Sequence, residues 1–158
     1  MPQTTTPQQD TEEQLPFFVY GTLRTGQGNW VNCLKGKTAR EVPAIAPDQV
    51  MYSDGLAFVT DREGYQVVGD LMFVKPQQYA AVLARLDQLE GYYADAPERS
   101  FYVRVAREVI YREGDEGRRV RAWVYHVGRR TLSRLDDDLI VADGDWLNMP
   151  GRRIVYAR

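Results

Sequence analysis

Glu90 ends a segment, Pro76 to Glu90, whose apolar residues recur with helical spacing and whose limits are marked by Pro76 and Gly91. On a wheel of about 100° per residue with Tyr79 at zero, Leu83 falls at about +40°, Leu86 at about −20°, Val82 at about −60° and Leu89 at about −80°, one continuous apolar stripe. Glu90 falls at about +20°, inside the stripe, whereas Asp87 lies on its margin at about +80°. A carboxylate on an apolar face loses hydration, and in the last helical turn it also meets the negative end of the helix dipole. Both effects raise its pKa toward the range where a carboxyl group shuttles protons near neutral pH. The same residue can instead swing to solvent at a fraying helix end or pair with an arginine, and the wheel leaves those readings open.

A second candidate is the loop Tyr20-Gly21-Thr22-Leu23-Arg24-Thr25-Gly26-Gln27-Gly28-Asn29, which follows a short apolar run and carries three glycines within eight residues. Such a loop can turn several backbone N–H groups toward one point and hold a carboxylate or phosphate; it can equally be an ordinary glycine-rich connection. It is not a nucleotide fingerprint, because GxxxxGK[ST] requires Lys and then Ser or Thr after its second glycine, and GxGxxG is absent.

Other chemistries are poorly supplied. The single Cys33 excludes an intramolecular disulfide and a cysteine metal cage, and the single His126 excludes the usual sites with two or three histidines. Any nucleophilic triad would have to route through His126, which lies in a strand-like segment and reads as a packed or surface histidine; Cys33 reads as a small buried side chain. With 20 Lys plus Arg against 22 Asp plus Glu, the charge of −2 offers no general attraction for nucleic acid or an anionic membrane. Only Lys35, Lys37 and Lys75 are lysines, so Arg24, Arg104 and Arg107 belong to an arginine-rich background in which structural ion pairs are the ordinary role. There is no run of 18 apolar residues, and Met1 to Gln14 lacks the apolar core of a signal peptide, so a soluble, cytoplasmic protein is expected.

These residues need a scaffold. A chain of 158 residues, 44% hydrophobic, matches one domain. Residues 1–14 hold almost nothing to bury and are expected as a flexible tail before a single domain over 15–158. Pro16 to Tyr20 reads as a buried strand feeding the glycine turn. Further strands are expected at about 42–52, 56–60 and 66–74, separated by turns at Ser53-Asp54-Gly55 and Asp61-Arg62-Glu63-Gly64. Phe101 to Tyr111 and Val120 to Val127 read as an antiparallel pair joined across Gly114 to Gly117. Residues 128–145, with Asp136-Asp137-Asp138, are too polar to assign. No heptad repeat argues for a coiled-coil assembly. One clear helix with five or more strands predicts an α+β domain whose sheet curls toward a barrel.

Taken together, FVYGTLRTGQGN near the start, LDQLEGY in the middle, Tyr102-Val103-Arg104, and AWVY at Ala122 to Tyr125 form a specific combination. The chain resembles the γ-glutamylcyclotransferase-like family, including its AIG2-like branch, over about residues 16–127 and toward Gly144-Asp145-Trp146. The resemblance implies a small, mostly antiparallel β-barrel with flanking helices. It further implies release of 5-oxoproline from a γ-glutamyl amide by attack of the substrate's α-amine on its γ-carbonyl, with no metal and no cofactor. Carried over by motif, Glu90 is the general acid/base, and Tyr20, Gly21, Thr22 and Leu23 form the pocket whose backbone donors grip the glutamyl head group. Tyr125 and Tyr92 are candidates for a hydrogen bond in that pocket, or tyrosines of the core and rim. The pattern departs at Trp30, where several relatives carry a histidine after the loop asparagine, which points to a different rim.

Three functions are compatible with these residues. The first is a cyclotransferase acting on a small γ-glutamyl substrate. The second is a non-catalytic module that holds a carboxylate-bearing ligand at the glycine loop, against which the retained Glu90 argues. The third is a related enzyme that removes a γ-glutamyl group from a larger amine, such as a polyamine, an isopeptide lysine or an antibiotic precursor.

Overall fold

Phe17, Phe18 and Val19 offer only apolar side chains, so they are best placed where both faces of a strand are covered. They form β1 (Phe17–Val19), entirely buried, in a computed structural model that describes residues 14–149. The expected N-terminal tail, apart from Gln14, lies outside the described residues, as does the chain from 150 onward.

β2 (Thr38–Ser53) and β3 (Ala57–Val74) form one long hairpin, turned at Ser53-Asp54-Gly55 as the sequence predicts. Gly55 has φ 113°, and the Ser53 hydroxyl accepts from its N–H. β4 (Tyr102–Glu113) and β5 (Glu116–Val127) form a second hairpin in unbroken register from Tyr102↔Val127 to Glu113↔Glu116, tightened to a two-residue turn with Gly114 at φ 62°. β1 lies antiparallel on β3, with Phe18 opposite Leu71. Ala44↔Tyr111 and Ile45↔Ile110 join the hairpins on one side. On the other, the single parallel pair Phe17↔Trp123 closes the curved sheet in the order β1-β3-β2-β4-β5. This is the mostly antiparallel α+β barrel that the sequence implies.

One expected turn is absent. Asp61-Arg62-Glu63-Gly64 was to separate two strands, yet β3 runs through it. Pro47 pairs with Gln66 and Gln49 with Asp61, so Arg62 to Tyr65 face the lone Asp48. Asp48 adopts φ 58° and its carboxylate accepts from the N–H of Gly64. The turn-forming residues therefore bend the strand into a bulge without reversing it, because pairing with β2 resumes on both sides.

The helix expected over Pro76–Glu90 opens as a 3-10 turn, Pro76–Gln78, and continues as an α-helix, Tyr79–Glu90. Numbering helices in chain order, Gly28–Cys33 is α1, Tyr79–Glu90 is α2 and Arg129–Leu132 is α3. Tyr79, Val82 and Leu86 are the buried residues of α2. Alternation along β1 serves two packing clusters: Phe17 and Val19 join Leu34, Val82 and Leu86, while Phe18 and Tyr20 join Met51, Val59, Leu71 and Trp146. Residues 128–145, which resisted assignment, hold α3 and the 3-10 turn Asp137–Leu139, and a second 3-10 turn, Trp146–Asn148, follows directly; each turn is capped by the preceding aspartate. No helix among the described residues is long and apolar enough to cross a membrane.

His126 is packed within the protein. Its Nε2 lies 2.6 Å from Gln49 Oε1, Gln49 donates to Asp61, and Arg107 holds Asp61 through two nitrogens. Because the Gln49 amide nitrogen faces a carboxylate, its oxygen faces His126, which fixes the proton on Nε2. Burial pushes the imidazole down to about 4. A histidine whose folded pKa lies below its unfolded value contributes stability that is fully present above about pH 6.5 and lost as pH falls toward 4, up to about 3 kcal/mol. His126→Gln should therefore lose less stability than the wild type between pH 6.5 and 4, as read from urea midpoints.

Candidate active site

Glu90 is the last residue of α2, and the way that helix stops determines where its carboxyl goes. Gly91 follows at φ 67°, the N–H of Tyr92 donates to the carbonyl of Asp87 and that of Gly91 to Gln88, which is the Schellman arrangement. The Gly91 carbonyl then receives the N–H of Phe101 at 3.0 Å, tying the helix end to the start of β4. A Cβ at Gly91 would stand 3.3 Å from Cβ of Phe101 and would occupy a left-handed conformation. Gly91→Ala should cost about 1–2 kcal/mol in a denaturant titration and lower turnover by displacing Glu90.

Glu90 lines a cavity of about 220 Å³. It keeps partial exposure along the opening, but its carboxyl is surrounded by protein, and loss of hydration pushes its pKa up to about 7. Among the described residues no hydrogen bond or ion pair holds the carboxyl. No arginine among the described residues pairs with it: Arg104 takes Asp87 with Nε at 2.9 Å and Nη2 at 3.2 Å, and lies over the rings of Trp123 and Tyr92. The marginal acid of the wheel is thus the paired one, and the inward acid is without a partner among the described residues.

The glycine loop forms the facing wall. Tyr20, Gly21, Thr22 and Leu23 all line the cavity, with Asn29 beside them. The loop is folded on itself by Arg24 N–H to the Gly21 carbonyl and Trp30 N–H to the Thr22 carbonyl, both carbonyls being used inward. The N–H groups of Gly21, Thr22 and Leu23 meet no acceptor among the described residues. Consecutive unspent backbone donors are an anion-binding arrangement. Asn29 donates to the Thr22 hydroxyl at 2.7 Å, and Arg24 is spent on Asp70 and Asp145, which anchors the loop to β3 and to the Trp146 turn.

Three tyrosines complete the wall as neutral phenols. Tyr20 donates to the Tyr125 carbonyl at 2.6 Å, Tyr102 to the Ala57 carbonyl at 2.8 Å and Tyr125 to Asp87 at 2.6 Å. Burial raises all three above the ordinary phenol range, and the charge of Glu90 adds to the rise in each. Tyr125 lines the cavity while its hydroxyl proton is committed to Asp87. Tyr92 does not line the cavity, and Trp30 turns away to donate to Glu41. Cys33 is buried in the core.

The sequence did not single out Tyr102, Phe101 and Trp146 as lining residues. Tyr102 is reached by alternation along β4, but Trp146 is a lone aromatic that follows Asp143 and Asp145 in a segment without periodicity. A large ring in a polar stretch is itself a signal of an anchor. Among the described residues no group of three or more His, Cys, Asp or Glu side chains is placed to hold a metal ion.

The fold has counterparts among solved structures. An AIG2-like protein from Mus musculus matches with a TM-score of 0.59 and 22% identity, over 89% of this chain and 94% of the other. An uncharacterised protein from Pyrococcus horikoshii matches with a TM-score of 0.54 and 19% identity, over 85% and 91%. A protein from Arabidopsis thaliana gives 0.54 and 22%, over 80% and 74%. At such identities these likenesses speak for the fold. No curated protein matches the chain. The family described as "Gamma-glutamyl cyclotransferase, AIG2-like" matches residues 17–148, a span that runs from β1 through the glycine loop and Glu90 to the turn carrying Trp146. The chain therefore belongs to the AIG2-like γ-glutamyl cyclotransferase family.

Proposed function

We propose that this protein is an enzyme that releases 5-oxoproline and a free amine from a γ-glutamyl amide, with Glu90 as its general acid/base. The observation that carries the reading is one small cavity lined both by Glu90, whose desolvated carboxyl has no partner among the described residues, and by Gly21, Thr22 and Leu23, whose backbone N–H groups are unspent among the same residues. At about 220 Å³ the cavity is below the roughly 300–1,000 Å³ of sites for drug-sized ligands, a size suited to one amino-acid head group.

In this reading the N–H groups of Gly21, Thr22 and Leu23 receive the α-carboxylate of the glutamyl group. Glu90, ionised in about half the molecules near pH 7, takes a proton from the α-ammonium. The freed α-nitrogen attacks the γ-carbonyl carbon, Glu90 gives its proton to the leaving nitrogen as the bond to it breaks, and the second proton shed by the ring nitrogen passes through the same carboxylate to the departing amine, which leaves as an ammonium beside the neutral five-membered lactam. The charge count is unchanged and the carboxylate is regenerated. Ring closure is intramolecular, so holding one near-attack conformer supplies much of the rate, up to about 7–11 kcal/mol in well-oriented systems.

The test is a mass-spectrometric assay for 5-oxoproline over γ-glutamyl amino acids, γ-glutamyl amines and ε-lysine isopeptides, comparing wild type with Glu90→Gln. Release by the wild type alone supports the reading. Equal release by the variant removes Glu90 from the chemistry, and binding of γ-glutamyl compounds without any release makes the protein a carboxylate-binding module.

A further inference from the structure

Asp87 and Glu90 stand one turn apart at the end of α2, in different company. Glu90 has no partner among the described residues, whereas Asp87 gathers groups from two strands. Arg104 of β4 donates to it with Nε at 2.9 Å and Nη2 at 3.2 Å, and Tyr125 of β5 donates to its Oδ1 at 2.6 Å. Its backbone carbonyl accepts from the N–H of Tyr92, which closes the turn that carries Glu90. Tyr125 extends the connection, because its own carbonyl accepts from the Tyr20 hydroxyl at 2.6 Å, and Tyr20 opens the donor loop. One chain of hydrogen bonds thus runs from the turn of Glu90 to the facing wall of the cavity.

The charge of Asp87 is cancelled where it stands. The side chains of Arg104 and Asp87 are 14% and 22% exposed, so solvent screens the pair only in part. Arg104 also lies over the rings of Trp123 at 4.3 Å and Tyr92 at 5.3 Å, contacts that do not depend on Asp87. The other titratable side chains lining the cavity with Glu90 are phenols: Tyr20 after β1, Tyr102 on β4 and Tyr125 on β5. Asp54, exposed on the turn between β2 and β3, reaches Tyr102 with its charge. Arg24 on the loop is paired with Asp70 and Asp145. Arg99, in the 3-10 turn Pro97–Arg99, and Arg129 and Arg130, in α3, are exposed on the segments around Phe101, where solvent screens them.

Building on the cyclotransferase reading, we infer that Asp87 is a positioning residue for Glu90, one that ties the acid's turn to the donor loop through Tyr125 and Tyr20 while Arg104 cancels its charge. The tie fixes the spacing between the Glu90 carboxyl and the N–H groups that receive the glutamyl carboxylate, and an intramolecular attack depends on that spacing. The cancellation decides which charge Glu90 meets one turn away. Without Arg104, the Asp87 carboxylate opposes ionisation of Glu90; without the Asp87 carboxylate, the Arg104 cation favours it. A pair that only held the fold together would give the same change whichever partner were removed.

Carbon NMR of protein labelled at the glutamate carboxyls reads this directly, the Glu90 signal being the one that Glu90→Gln removes. Asp87→Asn, whose amide oxygen still accepts from Tyr125, should lower the Glu90 titration midpoint by about one pH unit, and Arg104→Gln should raise it by about one. The double variant should restore it. Arg104→Lys, which keeps the charge, should hold the midpoint near the wild-type value and keeps the test open if Arg104→Gln does not fold. The rising limb of kcat/KM for 5-oxoproline release, on the fastest substrate of the γ-glutamyl panel, should move with the midpoint in each variant. At its own pH optimum Asp87→Ala, which removes the acceptor as well as the charge, should be slower than Asp87→Asn by about 10²-fold, mainly in kcat. Midpoints that stay put or move the same way in both single variants, or an Asp87→Ala enzyme as fast as Asp87→Asn, overturn the inference and leave the cyclotransferase reading standing. No 5-oxoproline from any member of the panel, with the protein folded by circular dichroism, overturns both.

Discussion

Glu90→Gln should reduce 5-oxoproline release by about 10²–10⁴-fold while making the protein more stable above neutral pH. The two effects have one origin. The carboxyl is held at about 7 because its ionised form is poorly hydrated in the cavity wall. A carboxyl whose folded pKa exceeds its unfolded value binds more protons in the native state, so stability falls as pH rises from about 4.5 to about 7 and the deficit is complete above that. The cost reaches about 3 kcal/mol, and an amide, isosteric and uncharged, does not incur it. Urea midpoints at pH 5 and pH 8 should therefore agree more closely in the variant, with the variant ahead at pH 8. In the wild type, kcat/KM should show a rising limb near pH 7 that the variant lacks. A variant that keeps turnover would remove Glu90 from the chemistry, and one that gains no stability at pH 8 would show its carboxyl to be well solvated.

Trp146→Ala should be the most damaging single substitution to stability among the cavity residues, at about 3–5 kcal/mol. The ring is 1% exposed and sits in the cluster of Phe18, Met51, Val59 and Leu71. Its Cε3 lies 3.7 Å from where a Cβ on Gly21 would stand, so it backs the donor loop directly. Its removal both opens a cavity in the core and withdraws support from the N–H groups of Gly21 and Thr22. Trp146→Phe keeps an aromatic plane and should cost less, with a rise in KM as the main kinetic change. A wild-type midpoint for the alanine variant, measured by chemical denaturation, would contradict the packing described.

What the sequence made legible follows from how local each signal is. α2 was readable because Pro76 and Gly91 mark its ends and its stripe repeats over several turns; only Leu89 leaves the stripe for the surface, at the cavity mouth. The Ser53-Asp54-Gly55 turn was readable because its side chains bond their own backbone. Asp61 to Gly64 carries the same residue types and yields a bulge, since the outcome depends on Asp48 across the ribbon, which no window along the chain contains. Glu90 and the glycine loop emerged from the wheel and from composition. Ion pairing of Arg24 and Arg104 was expected from composition, but their partners were not legible, because Asp70, Asp145 and Asp87 reach them only through the tertiary fold. Trp146 lies in a segment built from capped single turns, whose position is set by contacts such as the bond from the Val68 N–H to the Gly144 carbonyl.

The closure of the sheet has a consequence for how the protein assembles. Two hairpins, β2-β3 and β4-β5, pair residues close in sequence and can form early, with little entropy lost in closing their loops. β1 is three residues long, and it alone bridges β3 and β5. The donor loop hangs from its end, some seventy residues upstream of Glu90, so the two halves of the cavity are brought face to face only when this short strand docks. Docking of β1 is thus the event in which a folded scaffold becomes a site, and its exchange-protected amides should appear with the recovery of ligand binding during refolding, after those of the hairpins.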